Sequence, residues 1–195
     1  MKTFFSVALL SILVISCKKV TQELAAKPAT TKGQFIQYTI KQGQQYCDQS
    51  TYRPVDITEM KFVVRFDSSA IYQSTAAENQ FDINKLYGFS DNGTNHQQYS
   101  ARIGWRWSDN ALRLFAYVYN AGVVSSKEIS TITIGIEVNC SIKIREGQYL
   151  FTVNDHTEQM PRSASTQKGT GYQLFPYFGG NEAAPHEIRI WIKEE

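Results

Sequence analysis

Hydrophobic and polar residues alternate along much of this chain, most clearly between Ser100 and Tyr119. Ala101, Ile103, Trp105 and Trp107 share one face of an extended segment, with Arg102, Gly104 and Arg106 on the other. Beyond Asp109-Asn110 the pattern resumes, with Leu112, Leu114, Ala116 and Val118 alternating with Arg113, Phe115, Tyr117 and Tyr119. A two-residue turn at Asp109-Asn110 folds the two runs into a hairpin. Trp107 then faces Leu112, Trp105 faces Leu114 and Ile103 faces Ala116. The apolar faces coincide, which is what fixes register when one sheet face is buried. The same register sets Arg106 opposite Arg113 and Arg102 opposite Tyr117.

A second hairpin is predicted at Glu146-Gly147, where Cys140, Ile142 and Ile144 meet Tyr149, Phe151 and Val153. Further strands are expected at 35–41, 61–67, 130–138 and 187–192, and a short helix over 75–86. In the strand at 187–192, Ile188, Ile190 and Ile192 alternate with Glu187, Arg189 and Trp191. Many short half-polar strands with few helices predict an all-β fold, a sandwich of two antiparallel sheets or else a barrel. A sandwich buries one face of each strand and leaves the other to solvent.

The N-terminus departs from this pattern. Lys2 precedes an apolar stretch that ends in Val14-Ile15-Ser16-Cys17 and is followed by Lys18-Lys19. The stretch is shorter than the ~20 residues needed to cross a bilayer and fits the apolar core of a signal peptide. Val14–Cys17 resembles the lipobox of bacterial lipoproteins. The resemblance implies cleavage before Cys17, lipidation of that residue, and a membrane as partner. Lys18, in place of Asp, points to the outer rather than the inner membrane. Residues 1–16 are therefore read as signal peptide, 17–32 as lipidated Cys and polar tether, and 33–195 as the folded domain.

Without residues 1–16 the chain keeps 19 basic against 18 acidic residues. That near-balance argues against nonspecific nucleic-acid binding, which needs a basic excess. Cys47 and Cys140 remain. They could pair in an oxidising compartment, although Cys140 falls on an apolar strand face where an inert thiol fits better. No spacing of Cys and His suggests zinc, and no metal or other cofactor is expected.

The segments DINKLYGFSD (82–91), ARIGWRW (101–107), LRLFAYVYNAG (112–122) and YFGGNEAAPHEIRIWI (177–192) resemble those of small lipoproteins with a concanavalin A-like jelly roll. That superfamily includes lectins, carbohydrate-binding modules, glucanases and polysaccharide lyases. The resemblance implies a two-sheet jelly roll that handles carbohydrate, without choosing among these functions. The alternating carboxylates of its glucanases (ExDxE) are absent here, as is the QIH-like strand of its alginate lyases. No catalytic residue is therefore carried over.

Candidate sites follow from the strand faces. Arg65, Arg102, Arg106, Arg113, Tyr117 and Tyr119 are read as one outward, basic and aromatic face. Arg106 opposite Arg113 is unfavourable unless an anion lies between them, and guanidinium groups pair well with carboxylates. An acidic polysaccharide or oligosaccharide is the expected ligand. Secondary ligand loops are Ser90–His96, with Asn95 and His96, and Gly179–Glu182, with Asn181 and Glu182. The first loop could offer oxygens to calcium but lacks an EF-hand pattern. The loop 154–171, with Asp155, His156 and Arg162, resembles no nucleophile motif. The sequence thus reads as a lipid-anchored carbohydrate-binding domain. The alternatives are a jelly-roll lyase or glycosidase, or a structural envelope protein without a small ligand.

Overall fold

The computed structural model describes residues 33–195 apart from Ser165. The signal peptide, Cys17 and the tether lie outside the described residues. Twelve strands form among them: β1 (Ile36–Ile40), β2 (Pro54–Ile57), β3 (Glu59–Phe66), β4 (Asn84–Ser90), β5 (Tyr99–Ser108), β6 (Ala111–Asn120), β7 (Val123–Ile132), β8 (Val138–Arg145), β9 (Gln148–Val153), β10 (His156–Pro161), β11 (Gly169–Leu174) and β12 (Ile188–Glu194). They make two antiparallel six-stranded sheets, ordered β1-β12-β3-β8-β9-β10 and β2-β11-β4-β5-β6-β7. This is a jelly-roll sandwich, and its core lies between the two sheets.

The predicted hairpin register holds residue for residue. Trp107 pairs with Leu112, Trp105 with Leu114, Ile103 with Ala116, and Arg106 with Arg113. Asp109 and Asn110 have φ of 52° and 56°. These left-handed values make a type I′ turn, whose twist matches that of the flanking strands. The β8–β9 hairpin is built alike, with Cys140 opposite Val153 and Ile142 opposite Phe151. Trp105, Ile103 and Leu114 are wholly buried and meet Phe66, Ile142 and Ile190 in the shared core. Burying a side chain of this size contributes about 1.5–3 kcal/mol. Trp107 is half-buried at the margin of that core.

Three expectations need correction. Residues 75–86 form no α-helix: a 3-10 turn spans Ala77–Phe81 and β4 starts at Asn84. The Glu182 carboxylate shapes this stretch, accepting from the backbone N–H groups of Thr75 and Ala76 and from the Asn79 side chain at 2.7–2.8 Å. Residues 130–138 are not one strand. β7 ends at Ile132 and a turn follows, in which Gly135 has φ 87° and donates to the Phe66 carbonyl. A left-handed conformation of this kind favours glycine and breaks the run. Residues 154–171 are not all loop, since they contain β10 and the start of β11. Cys47 and Cys140 are both buried and do not pair with each other, which closes the open question of a disulfide between them.

Candidate functional site

The outer face of the second sheet carries the site. Across β4, β5 and β6, Gly88, Arg102 and Tyr117 stand opposite one another. A Cβ at Gly88 would lie 2.1 Å from the Ala101 carbonyl oxygen and 2.7 Å from Arg102 Cα. Only glycine fits this close approach. A groove of about 530 Å³ opens over this face. Lys85, Ser100 and Arg102 lie along its floor, and Tyr117 and Tyr119 flank one side. The other side is the segment 172–177, backed by the β1–β2 connection, which contributes Tyr46 and Tyr52.

The groove is electrostatically one-sided, for none of its lining residues is Asp or Glu. Arg102 is only 7% exposed. One of its terminal nitrogens donates to the Phe175 carbonyl at 2.9 Å, while its Nε has no hydrogen-bond partner among the described residues. The arginines in ion pairs there are Arg53, Arg113, Arg145, Arg162 and Arg189, not Arg102. Burial pushes Arg102 down to about 10, which leaves it charged at neutral pH. Lys85 is pushed to about 8 by burial and then by the charge of Arg102, with Asp82 opposing. Its ammonium donates to the Gly179 carbonyl at 2.8 Å and lies 5.2 and 5.8 Å from the ring centres of Tyr117 and Tyr177. Contacts with aromatic faces hold the charge without neutralising it.

At one end of the groove, His96 Nδ1 and the Tyr172 hydroxyl are 3.0 Å apart, and the His96 backbone N–H donates to the same oxygen. Burial, and then Arg102, holds the imidazole below its ordinary pKa, which favours the neutral ring; in the tautomer protonated at Nε2, Nδ1 accepts from the Tyr172 hydroxyl. Asn95 fixes the turn beneath it: its Oδ1 accepts from the N–H groups of Gln97 and Gln98.

The residues expected on one basic face are divided by the fold. Arg102, Tyr117, Tyr119 and His96 line the groove. Arg65 belongs to β3 in the other sheet, between the rings of Phe35 and Trp191. Arg106 and Arg113 share the outer face of the second sheet but do not line the groove. Their mutual repulsion is met within the protein. Arg113 pairs with Asp109 and Glu128 at 3.3 and 2.9 Å. Arg106 stacks near Phe115 and Phe81 and donates to the Phe81 carbonyl. No external anion is needed between them. In the second loop, the Glu182 carboxylate is taken up by Thr75, Ala76 and Asn79. The backbone N–H of the exposed Asn181 donates to Asp82. Asp91 is no calcium ligand, because it is buried against Arg162. Among the described residues no cluster of His, Cys, Asp and Glu could hold a metal.

Sequence reasoning did not single out Lys85, Tyr172, Tyr177, Tyr46 or Tyr52. One signal was present. Tyr46 and Tyr52 sit in a turn-rich stretch, GQQYCDQSTY, that has no strand alternation to bury them.

The two-sheet architecture is the concanavalin A-like jelly roll. Comparison with solved structures gives the same fold. The alginate lyase AlyC3 superposes with a TM-score of 0.56 at 9% identity, over 83% of this chain and 74% of that one. The marine PL7 alginate lyase AlyA1 from Zobellia galactanivorans gives 0.50 at 10% identity, over 84% and 76%. A structure of AlyC3 in complex with dimannuronate gives 0.52 at 9% identity, over 83% and 73%. No protein-family model and no curated protein matches the sequence. Identities this low establish the shared fold alone.

Proposed function

We propose that the groove binds an acidic polysaccharide, with a uronate carboxylate seated on Arg102 and Lys85. One observation carries this reading: a groove whose floor holds two cations and whose lining holds no carboxylate. A buried guanidinium without a counter-ion costs stability, and an anionic ligand offsets that cost. The tyrosines supply flat faces for the C–H surfaces of pyranose rings. A two-carboxylate glycosidase does not fit, since that chemistry needs paired acids flanking the scissile bond. The dimannuronate held by AlyC3 is a ligand of the proposed class. In the same reading, lipidated Cys17 tethers the domain to a membrane, outer rather than inner.

The test is calorimetry on residues 33–195 with polymannuronate, polygalacturonate and a neutral glucan. The acidic polymers should bind, and binding should weaken with salt as exposed charges are screened over ~10 Å at 0.1 M. Arg102→Met should abolish binding while leaving thermal stability unchanged or higher, because it replaces a buried charge with an apolar side chain. Equal affinity for charged and neutral polymers, or unchanged binding by Arg102→Met, would refute the proposal.

His96 and Tyr172 favour a second reading, a lyase acting by β-elimination. Arg102 would neutralise the carboxylate and acidify the neighbouring C–H. The Tyr172 oxygen, relieved of its proton by His96, would take that hydrogen; the C–O bond to the leaving sugar would break, and its oxygen would take the proton held by His96. The product is an unsaturated uronate. New ultraviolet absorbance during incubation selects this reading; tight binding without it selects the binding module.

A further inference from the structure

Two large aromatic side chains stand out on this surface. Tyr52 is 80% exposed and Tyr46 69% exposed. Both come from the connection between β1 and β2, and each leans on a tyrosine of the opposing segment. Tyr46 meets Tyr177 edge-on with ring centres 4.9 Å apart, and a backbone bridge joins the same two residues. Tyr52 lies 5.9 Å from Tyr172 at 35°. Two residues after Tyr52, Pro54 pairs with Tyr172 in the sheet. The exposed rings therefore have neighbours that restrain them. Surface held in place before a ligand arrives loses little entropy on binding.

We propose that the β1–β2 connection carries two sugar-stacking subsites, Tyr46 with Tyr177 and Tyr52 with Tyr172, at opposite ends of the cationic floor. This inference rests on reading the groove as an acidic-glycan site and adds the length and placement of the ligand. Tyr177 bridges Lys85, and the Tyr172 N–H donates to Ser90, five residues further along β4 and roughly 16 Å of strand away. No single pyranose ring spans that distance. A chain that touches both pairs places a ring on each tyrosine pair and at least one carboxylate between them, over Arg102 and Lys85. The groove thus selects a polymer segment over a free uronic acid. Charge is read in its middle and sugar faces at its ends.

The experiment measures affinity for oligouronates of two to six units, cut from polymannuronate and from polygalacturonate, and for a neutral cello-oligosaccharide series. The proteins are wild type, Tyr46→Ala, Tyr52→Ala, the double alanine variant and the double phenylalanine variant. Circular dichroism melts check that each is folded. Wild-type affinity should rise by roughly tenfold, the equivalent of about 1.4 kcal/mol, between the dimer and the tetramer or pentamer. The double alanine variant should lose that rise and keep the dimer affinity. The phenylalanine variant should retain the rise, because stacking needs the ring and not the hydroxyl. Length-independent wild-type affinity, or a double alanine variant that still gains with length, overturns the subsites while acidic-glycan binding stands. Binding of the neutral series alone, with tyrosine dependence, overturns the charge reading and leaves the subsites. Binding of neither series overturns both.

Discussion

Lys85 shows how one residue can couple the groove to pH. Burial, and then the nearby Arg102, lower its pKa from 10.5 to about 8. In the unfolded chain the amine keeps its proton to higher pH. Between about pH 8 and 10.5 the unfolded state therefore binds more protons, and the free domain should gain stability as pH rises through this window. Ligand binding should respond with the opposite sign. A carboxylate on the floor favours the charged amine, so affinity for an acidic glycan should fall as pH rises above about 8. Paired measurements check this: thermal melts of the free protein and titrations of an oligouronate, both from pH 7 to 10. Curves running in the same direction would exclude Lys85 as the titrating contact.

At the scale of elements, the segments that shape the groove are fastened by buried polar contacts. Asp91, at the end of β4, is fully buried and pairs with Arg162 at 2.7 Å. It also accepts from the Tyr149 hydroxyl and from the N–H groups of Asn92 and Thr170. Burial raises the pKa of this carboxylate, but the bonds from Arg162, Tyr149 and Asn92 outweigh it and hold the carboxylate below its ordinary value. Arg162 reaches on to the Thr166 and Lys168 carbonyls, so one ion pair joins the loop carrying His96 to the segment before β11. Asp91→Asn leaves Arg162 buried without its counter-charge and should cost about 3–5 kcal/mol, measured by denaturant melts at pH 7. A loss below 1 kcal/mol would show that water reaches the pair. Legibility in the sequence divides along the same lines. Trp105 and Leu114 could be set in register because strict alternation and a two-residue turn leave one solution. Arg102 and Tyr117 followed from that register as neighbours on the opposite face. The partners of Asp91 and Tyr172 could not be read, because a loop residue gives no periodic signal of which distant strand it meets. Arg65 was misplaced for a related reason: alternation tells which side of a strand a residue occupies, not which sheet the strand joins.

For the whole molecule, the groove and the point where the chain enters the fold belong to different sheets. The groove lies on the outer face of the second sheet. The chain enters at β1 in the first, where the Gly33 N–H donates to the Glu194 carbonyl of β12. If Cys17 carries the lipid, Cys17→Ser should move the protein from the membrane to the soluble fraction and abolish incorporation of labelled fatty acid, with glycan affinity unchanged; equal membrane retention of both forms would end the lipoprotein reading. The position of β12 has a further consequence. It is not an edge strand but lies between β1 and β3, the first and third strands in chain order. Its Glu194 also closes the network of Arg53, Gln173 and Tyr87 that joins the two sheets. Ribosomes deliver residues in order, so β1 must wait for its sheet neighbour, made almost 150 residues later. Pairing across such long sequence separation is slow, and a chain that stays open that long is exposed to aggregation. The first sheet can therefore close only after residue 194 has emerged, when β12 enters between β1 and β3.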